Sequence, residues 1–361
     1  MFSPREAIRA LPSYHPPLAG REGLRLDFNE NTVGCSPRVL ERLRQITSDD
    51  LARYPERQGA EEKLAGFLGV QTNELLLTNG VDESIHLLCQ TYLSAGDEGL
   101  IVVPTYSMYR IYMMAAGAKV KEIPAKQDFQ FPTNELLRQV TDRTKLIAIA
   151  SPNNPTGTLV AQEELLRVAS SASSAAVLVD EAYFEFCGRT ALGFLNDCPN
   201  LFVARTFSKA YGLAGLRLGA LIGNGEQMAA VRLACSPYNV NTVALACVTA
   251  AIEETEYVQQ YVSEVLRGRT RLEQFLQEQG IPFWPSQANF VLCRVGTNKS
   301  DSAAFAERMR RQGILVRDRS SDYGCEGCVR ITLGTREQTD RLLDALGQAL
   351  KESVIQGAAL R

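Results

Sequence analysis

Histidine is almost missing from this chain: there are two in 361 residues, His15 and His86, remote from each other in sequence. A structural zinc site wants four ligands, and the cysteines do not make up the shortfall. Cys325-Glu326-Gly327-Cys328 has the Cys-x-x-Cys form, but no second pair lies at zinc-ribbon spacing, so no metal is expected. An excess of charge of one sign is also lacking. With 38 basic and 41 acidic residues and a formal net charge of −3, there is no basic stripe for nucleic acid and no polybasic anchor for a membrane. No stretch approaches the ~20 apolar residues of a membrane helix, and residues 1–17 have no apolar core of signal-peptide length. Nine scattered cysteines without such a signal read as free thiols in a reducing compartment, so a cytoplasmic protein with small-molecule partners is expected. Neither Gly-x-Gly-x-x-Gly nor Gly-x4-Gly-Lys-Ser/Thr occurs, which removes the usual signatures of nucleotide folds.

What the chain does have is alternation. Short apolar runs at 99–103, 120–123, 146–150, 177–179, 201–204 and 218–222 are separated by helical patterns, which predicts an α/β fold with a mostly parallel sheet wrapped by helices. Residues 243–279 read as almost entirely helical. Beyond them, strand-like runs at 289–295, 313–317 and 328–333 interleave with helices and predict a smaller α+β unit. The expected division is a large domain over 30–260 and a small one built from 1–29 and 261–361.

Several of the predicted strands end in polar residues. Ser151-Pro152-Asn153-Asn154-Pro155-Thr156-Gly157 follows Leu146–Ala150, Asp180-Glu181-Ala182-Tyr183 follows Ala176–Val179, and Thr206-Phe207-Ser208-Lys209 follows Leu201–Ala204. Carboxyl ends of strands are where open α/β sheets bind ligands. A lysine becomes a nucleophile toward an aldehyde when hydroxyls, a guanidinium and a dry pocket surround it. Lys209, with Arg217 eight residues on, therefore looks like an anchor for pyridoxal phosphate. Asp180 would hold the proton on the ring nitrogen, and Asn154 and Tyr183 would donate to the phenolic oxygen. Asn79-Gly80-Val81-Asp82-Glu83, between the run 75–77 and a helical pattern, offers backbone N–H groups at a helix start for a phosphate, and Thr206, Ser208 and Arg217 would complete that cradle.

These motifs, together with Leu26-Asp27-Phe28-Asn29-Glu30-Asn31, Arg53-Tyr54-Pro55, Pro104-Thr105-Tyr106-Ser107-Met108-Tyr109 and Arg330-Ile331-Thr332-Leu333-Gly334-Thr335, span nearly the whole chain. It resembles the fold-type I pyridoxal phosphate enzymes, within them the class II aminotransferases, and most closely their histidinol-phosphate branch. The resemblance implies that Lys209 carries the cofactor and moves the substrate proton, with Asp180 at the ring nitrogen, Asn154 and Tyr183 at the phenolic oxygen and Tyr106 stacked on the ring. It implies Gly80, Val81, Asp82, Thr206, Ser208 and Arg217 around the phosphate, and Tyr54 reaching the phosphate of a neighbouring subunit, hence a homodimer. Arg330 would grip the substrate anion, and Arg317 and Tyr14 would contact a substrate phosphate. The activity it implies is transfer of an amino group from glutamate to imidazole acetol phosphate. An aromatic amino acid aminotransferase and a lyase of the phosphothreonine decarboxylase type are the alternatives.

Overall fold

The computed structural model describes residues 2–13 and 20–359. A short strand, β1 (Leu24–Arg25), follows the N-terminal arm. Seven strands then build the central sheet: β2 (Leu75–Thr78), β3 (Glu98–Val103), β4 (Lys119–Pro124), β5 (Thr144–Ala150), β6 (Ala176–Asp180), β7 (Leu201–Thr206) and β8 (Gly219–Gly223). Their order is β2-β8-β7-β6-β5-β3-β4. Every residue of β2, β6, β7 and β8 is buried, because apolar layers cover both faces, and this is why these strands read as continuous apolar runs. Leu77, Ile147, Val179 and Val203 belong to one layer and Leu76, Leu146, Leu178 and Phe202 to the other. The edge strand β4 keeps Lys119 and Glu122 exposed, which discourages pairing with another chain.

The pairs β4–β3, β3–β5, β5–β6 and β6–β7 are parallel, whereas β8 is antiparallel to both β7 and β2. The reason is the link. A parallel return has to run back along the sheet, usually as a helix, and residues 207–218 hold only the short 3-10 turn Ala214–Leu216. Gly219, the first residue of β8, consequently pairs with both Thr206 and Thr78, so the residues just before it arrive at the carboxyl ends of the parallel strands.

The helical stretch is two helices, Thr242–Glu253 and Thr255–Glu278. After them come β9 (Phe283–Trp284), β10 (Phe290–Arg294), β11 (Ile314–Leu315), β12 (Arg317–Asp318) and β13 (Cys328–Thr332). An antiparallel sheet runs β12-β13-β10-β9, while β1 pairs in parallel with β11. Gly23 makes that last pairing possible: its φ is +99°, and a Cβ there would stand 2.5 Å from the Gly313 carbonyl oxygen. Among the described residues no helix is long and apolar enough to cross a membrane.

Candidate active site

The carboxyl edge of the central sheet gathers its chemistry from five segments. β5 leads into Ser151, β6 ends in Asp180, and β7 ends in Thr206, three residues before Lys209. The helix Gly80–Tyr92 starts directly after β2, and β8 brings in Arg217 from the opposite direction. A cavity of about 240 Å³ lies there, lined by Val81, Asp82, Tyr106, Asn154, Asp180, Tyr183, Thr206, Ser208, Lys209 and Arg217 among others.

The buried Asp180 carboxylate accepts from the Tyr109 O–H through Oδ2 at 2.6 Å and from the Ala182 N–H through Oδ1 at 3.0 Å. No cation among the described residues pairs with it. Burial pushes its pKa up to about 6 against those two hydrogen bonds. A buried carboxylate without a counter-charge is costly, and a protonated ring nitrogen would supply that charge. Lys209 is half-buried; its Nζ donates to the Phe28 carbonyl at 3.1 Å. Burial first, and the Arg330 charge next, lower its pKa to about 8. The amine is thus neutral, and nucleophilic, far more often near neutrality than an exposed lysine.

Two donors line the same cavity. The Tyr183 hydroxyl accepts from Asn29 Nδ2 at 2.9 Å, leaving its own proton to donate, and burial keeps that proton on by raising the pKa. Asn154 Oδ1 accepts from Arg330, which leaves the Asn154 amide hydrogens as donors. At the far end, Arg217 holds φ +54°, a left-handed conformation uncommon for a residue with a Cβ. Its Nη2 lies 3.1 Å from Asp82 Oδ2, while Asp82 Oδ1 accepts from the Tyr106 O–H at 2.8 Å. A Cβ on Gly80 would stand 2.7 Å from Arg217 Nη2, and Gly80 has φ +76°, so the helix start and the guanidinium close on one small hollow suited to an anion.

Arg330 is 5% exposed. Its Nη2 donates to the Asp27 carbonyl at 2.6 Å, and its Nε is buried with no partner. Burial, followed by the charge of Arg319, lowers its pKa to about 9. Arg317 stands opposite Arg330 in the β12–β13 ladder, its guanidinium 5.1 Å from the ring of Phe28, and Phe28 lines the cavity. Tyr54 is not brought to the site within this chain: it is 79% exposed and stacks on Tyr238 at 4.2 Å. Tyr14 lies outside the described residues. His86 is exposed and stacks on Tyr112 at 5.2 Å.

The residues present fit pyridoxal phosphate at each of its polar ends, and on this α/β fold they define a pyridoxal phosphate-dependent aminotransferase. The chain belongs to the aminotransferase class I and II family, whose profile matches residues 21–346. It is 36% identical over 338 residues to histidinol-phosphate aminotransferase 1 of Bacillus cereus, covering 92% of this chain and 90% of that protein. To histidinol-phosphate aminotransferase 2 of Methylococcus capsulatus it is 35% identical over 364 residues, covering 95% and 97%. The crystal structure of histidinol-phosphate aminotransferase from Sinorhizobium meliloti in complex with pyridoxal-5'-phosphate superposes with a TM-score of 0.88 at 26% identity, covering 98% of this chain and 99% of that one.

Tyr109, Asn29 and Arg319 are the site residues that sequence reasoning passed over. Tyr109 and Asn29 stand inside motifs that carried the resemblance, yet nothing in a motif says which carboxylate or phenol a side chain will meet. Tyr109→Phe removes the hydrogen bond that favours the charged form of Asp180 and should lower turnover about tenfold, the effect of one charge-assisted bond. Steady-state rates with the cofactor saturating check this.

Proposed function

We propose that this aminotransferase moves an amino group from L-glutamate to imidazole acetol phosphate, giving 2-oxoglutarate and L-histidinol phosphate, as in histidine biosynthesis. The observation that carries the reading is the guanidinium cluster. Arg330 is buried in the site with an unpartnered Nε, Arg317 faces it across the ladder, and the Arg319 charge acts on it as well. A carboxylate needs one such fork, whereas a phosphate of higher charge in the same place favours several. The names of the Bacillus and Methylococcus relatives point the same way.

When bound, pyridoxal phosphate supplies the carbonyl that receives the amino group and a ring that draws electrons from the substrate's α-carbon. In our reading Lys209 Nζ holds the cofactor and then takes the α-proton. Asp180 would keep the ring nitrogen protonated, Asn154 and Tyr183 would donate to the phenolic oxygen, and Tyr106 would lie against the ring. Gly80, Val81 and Asp82 would give backbone N–H groups to the phosphate, with Thr206, Ser208 and Arg217 closing the cradle. Arg330 grips the substrate anion, helped by Arg317 and Tyr14 when that anion is a phosphate.

Tyr54, Tyr238, Leu40 and Leu51 are exposed large apolar residues, and Tyr54 borders an open groove of about 780 Å³. Exposed apolar surface of this kind favours association, which supports a homodimer with Tyr54 completing the partner's phosphate site. The division into a domain over 30–260 and one over 1–29 and 261–361 is supported by the β1–β11 pairing, which ties the arm to the C-terminal strands.

Glutamate-dependent rates on imidazole acetol phosphate and on phenylpyruvate test the substrate. A clear preference for the phosphorylated ketone is expected, and preference for phenylpyruvate would overturn the reading in favour of an aromatic aminotransferase. Arg317→Ala should raise KM for histidinol phosphate roughly 10- to 100-fold, the loss of one charged fork, and leave KM for glutamate within about threefold. Equal losses for both substrates would remove Arg317 from the phosphate.

A further inference from the structure

Arg21 stands outside the cavity yet grips a segment that orders much of it. Its Nε and Nη2 donate to the two carboxylate oxygens of Asp27 at 3.0 and 2.8 Å, a bidentate fork. Nη2 and Nη1 also reach the Glu30 carboxylate, at 2.7 and 3.4 Å, and the guanidinium lies 4.3 Å from the centre of the Phe28 ring. The side chains of Arg21 and Asp27 are only 10% and 9% exposed, and no other cation among the described residues pairs with Asp27 or Glu30. Removing the one partner of a nearly buried carboxylate is costly, so these three side chains hold one another in place.

Consecutive residues of the gripped segment each meet a different part of the site. The Asp27 carbonyl accepts from Arg330 Nη2 at 2.6 Å, and the Phe28 carbonyl accepts from Lys209 Nζ at 3.1 Å. Asn29 Nδ2 donates to the Tyr183 hydroxyl at 2.9 Å, and Glu30 lines the cavity. The Phe28 ring that Arg21 covers also lies 5.1 Å from the Arg317 guanidinium. Asn29 has φ +56°, a left-handed conformation that persists in a residue with a Cβ only where its surroundings fix it. Arg21 itself is attached to a fixed element: Leu24 pairs with Ile314 in the β1–β11 ladder, and the Leu26 N–H donates to the Leu315 carbonyl at 2.9 Å. Its fork therefore ties the 27–30 backbone to the anchored strand before it.

We propose that Arg21 is a positioning residue for amino transfer, whose fork on Asp27 and Glu30 sets where Arg330 meets the substrate anion and where the Lys209 amine rests. The inference rests on the roles proposed above for those two side chains, and not on which ketone the enzyme accepts. Loss of the fork has two effects. The carbonyls of Asp27 and Phe28 lose their fixed places, and misplacing a reacting group by about 1 Å costs on the order of 100-fold in rate. Glu30, without Arg21, becomes an unmatched negative charge near Lys209, whose other charged neighbours are Arg330, Arg217 and Asp82. A negative charge there holds a proton on the amine nitrogen.

The test compares Arg21→Met and Arg21→Lys with the unsubstituted enzyme, all loaded with cofactor. Steady-state kinetics with glutamate are read beside a pH titration of the visible absorbance of the lysine-bound cofactor. Arg21→Met should lower kcat about 30-fold and raise KM for glutamate about tenfold, and move the titration up by about one pH unit. Arg21→Lys keeps the charge but cannot fork onto two carboxylates. It should leave the titration where it was and keep kcat/KM about tenfold down, and it gives a reading even where the methionine variant does not fold. Unchanged kcat and KM in Arg21→Lys would overturn the proposal, as would an Arg21→Met enzyme with a lower thermal midpoint but unaltered kinetics and titration, the mark of a purely structural residue. Lys209→Ala, assayed alongside, separates the two failures: turnover retained there removes the proposed roles of the site itself, whereas an inactive Lys209→Ala beside unimpaired Arg21 variants removes Arg21 alone.

Discussion

Lys209→Ala should abolish transamination, with kcat falling at least about 10⁴-fold, because in the roles proposed for it the substitution would remove both the covalent hold on the cofactor and the base that moves the substrate proton. No nearby group replaces it. The other side chains lining the cavity that could act as bases are Asp82, paired with Arg217, Glu30, paired with Arg21, and Asp180, bonded to Tyr109. The holoprotein should also lose the visible absorbance of the lysine-bound cofactor, and borohydride should no longer fix the cofactor to the chain. Retained turnover would remove Lys209 from the chemistry. The lowered pKa has a second consequence. A folded-state value of about 8 against about 10.4 unfolded means that the unfolded chain binds more protons between those values, so stability of the cofactor-free protein rises with pH through that window. The penalty is fully present below pH 8. Lys209→Met should thus stabilise the cofactor-free protein at pH 7 by up to about 3 kcal/mol, seen as a higher thermal midpoint, while destroying activity.

Asp180→Ala is the second severe loss, roughly 10³-fold in kcat, with the cofactor still attached through Lys209. In its proposed role Asp180 would hold the proton on the ring nitrogen, and without a carboxylate there the cofactor would be a poorer electron sink. Asp180 is suited to the task because it is fully enclosed and unmatched: burial raises its pKa to about 6, and a cation placed against it pulls the value back down. Near-normal turnover in the alanine variant would contradict this role. Asp180→Asn should be nearly as damaging, since an amide keeps the shape but cannot hold the charge.

How far the sequence already disclosed this arrangement differs from element to element. The strands β2, β5, β6 and β7 were legible because both their faces are buried, so apolar runs mark them without any help from period. The position of Lys209, Asp180, Asn154 and Gly80 at one sheet edge was legible because each stands at or a few residues beyond the end of such a run, and the ends of parallel strands lie together. The direction of β8 was not. Its run of apolar residues is the same whichever way the strand points, and only the short link 207–218 turns it round. Tyr54 could be read as a motif, but its stacked, exposed position depends on surface that a single chain leaves open.

The chain's own order of residues decided the chemistry: which side chains stand at the strand ends, and therefore that an amine, a carboxylate, an amide and a phenol face one crevice. Folding in three dimensions decided how each is tuned. Tyr109 reaches Asp180 across 71 residues, Asn29 reaches Tyr183 across 154, and Arg330 reaches Asn154 across 176. Contacts at such separations are set by how layers pack, and any donor of the right length at the right place would have served. The local pattern fixes the group that reacts, and burial together with distant neighbours fixes its charge.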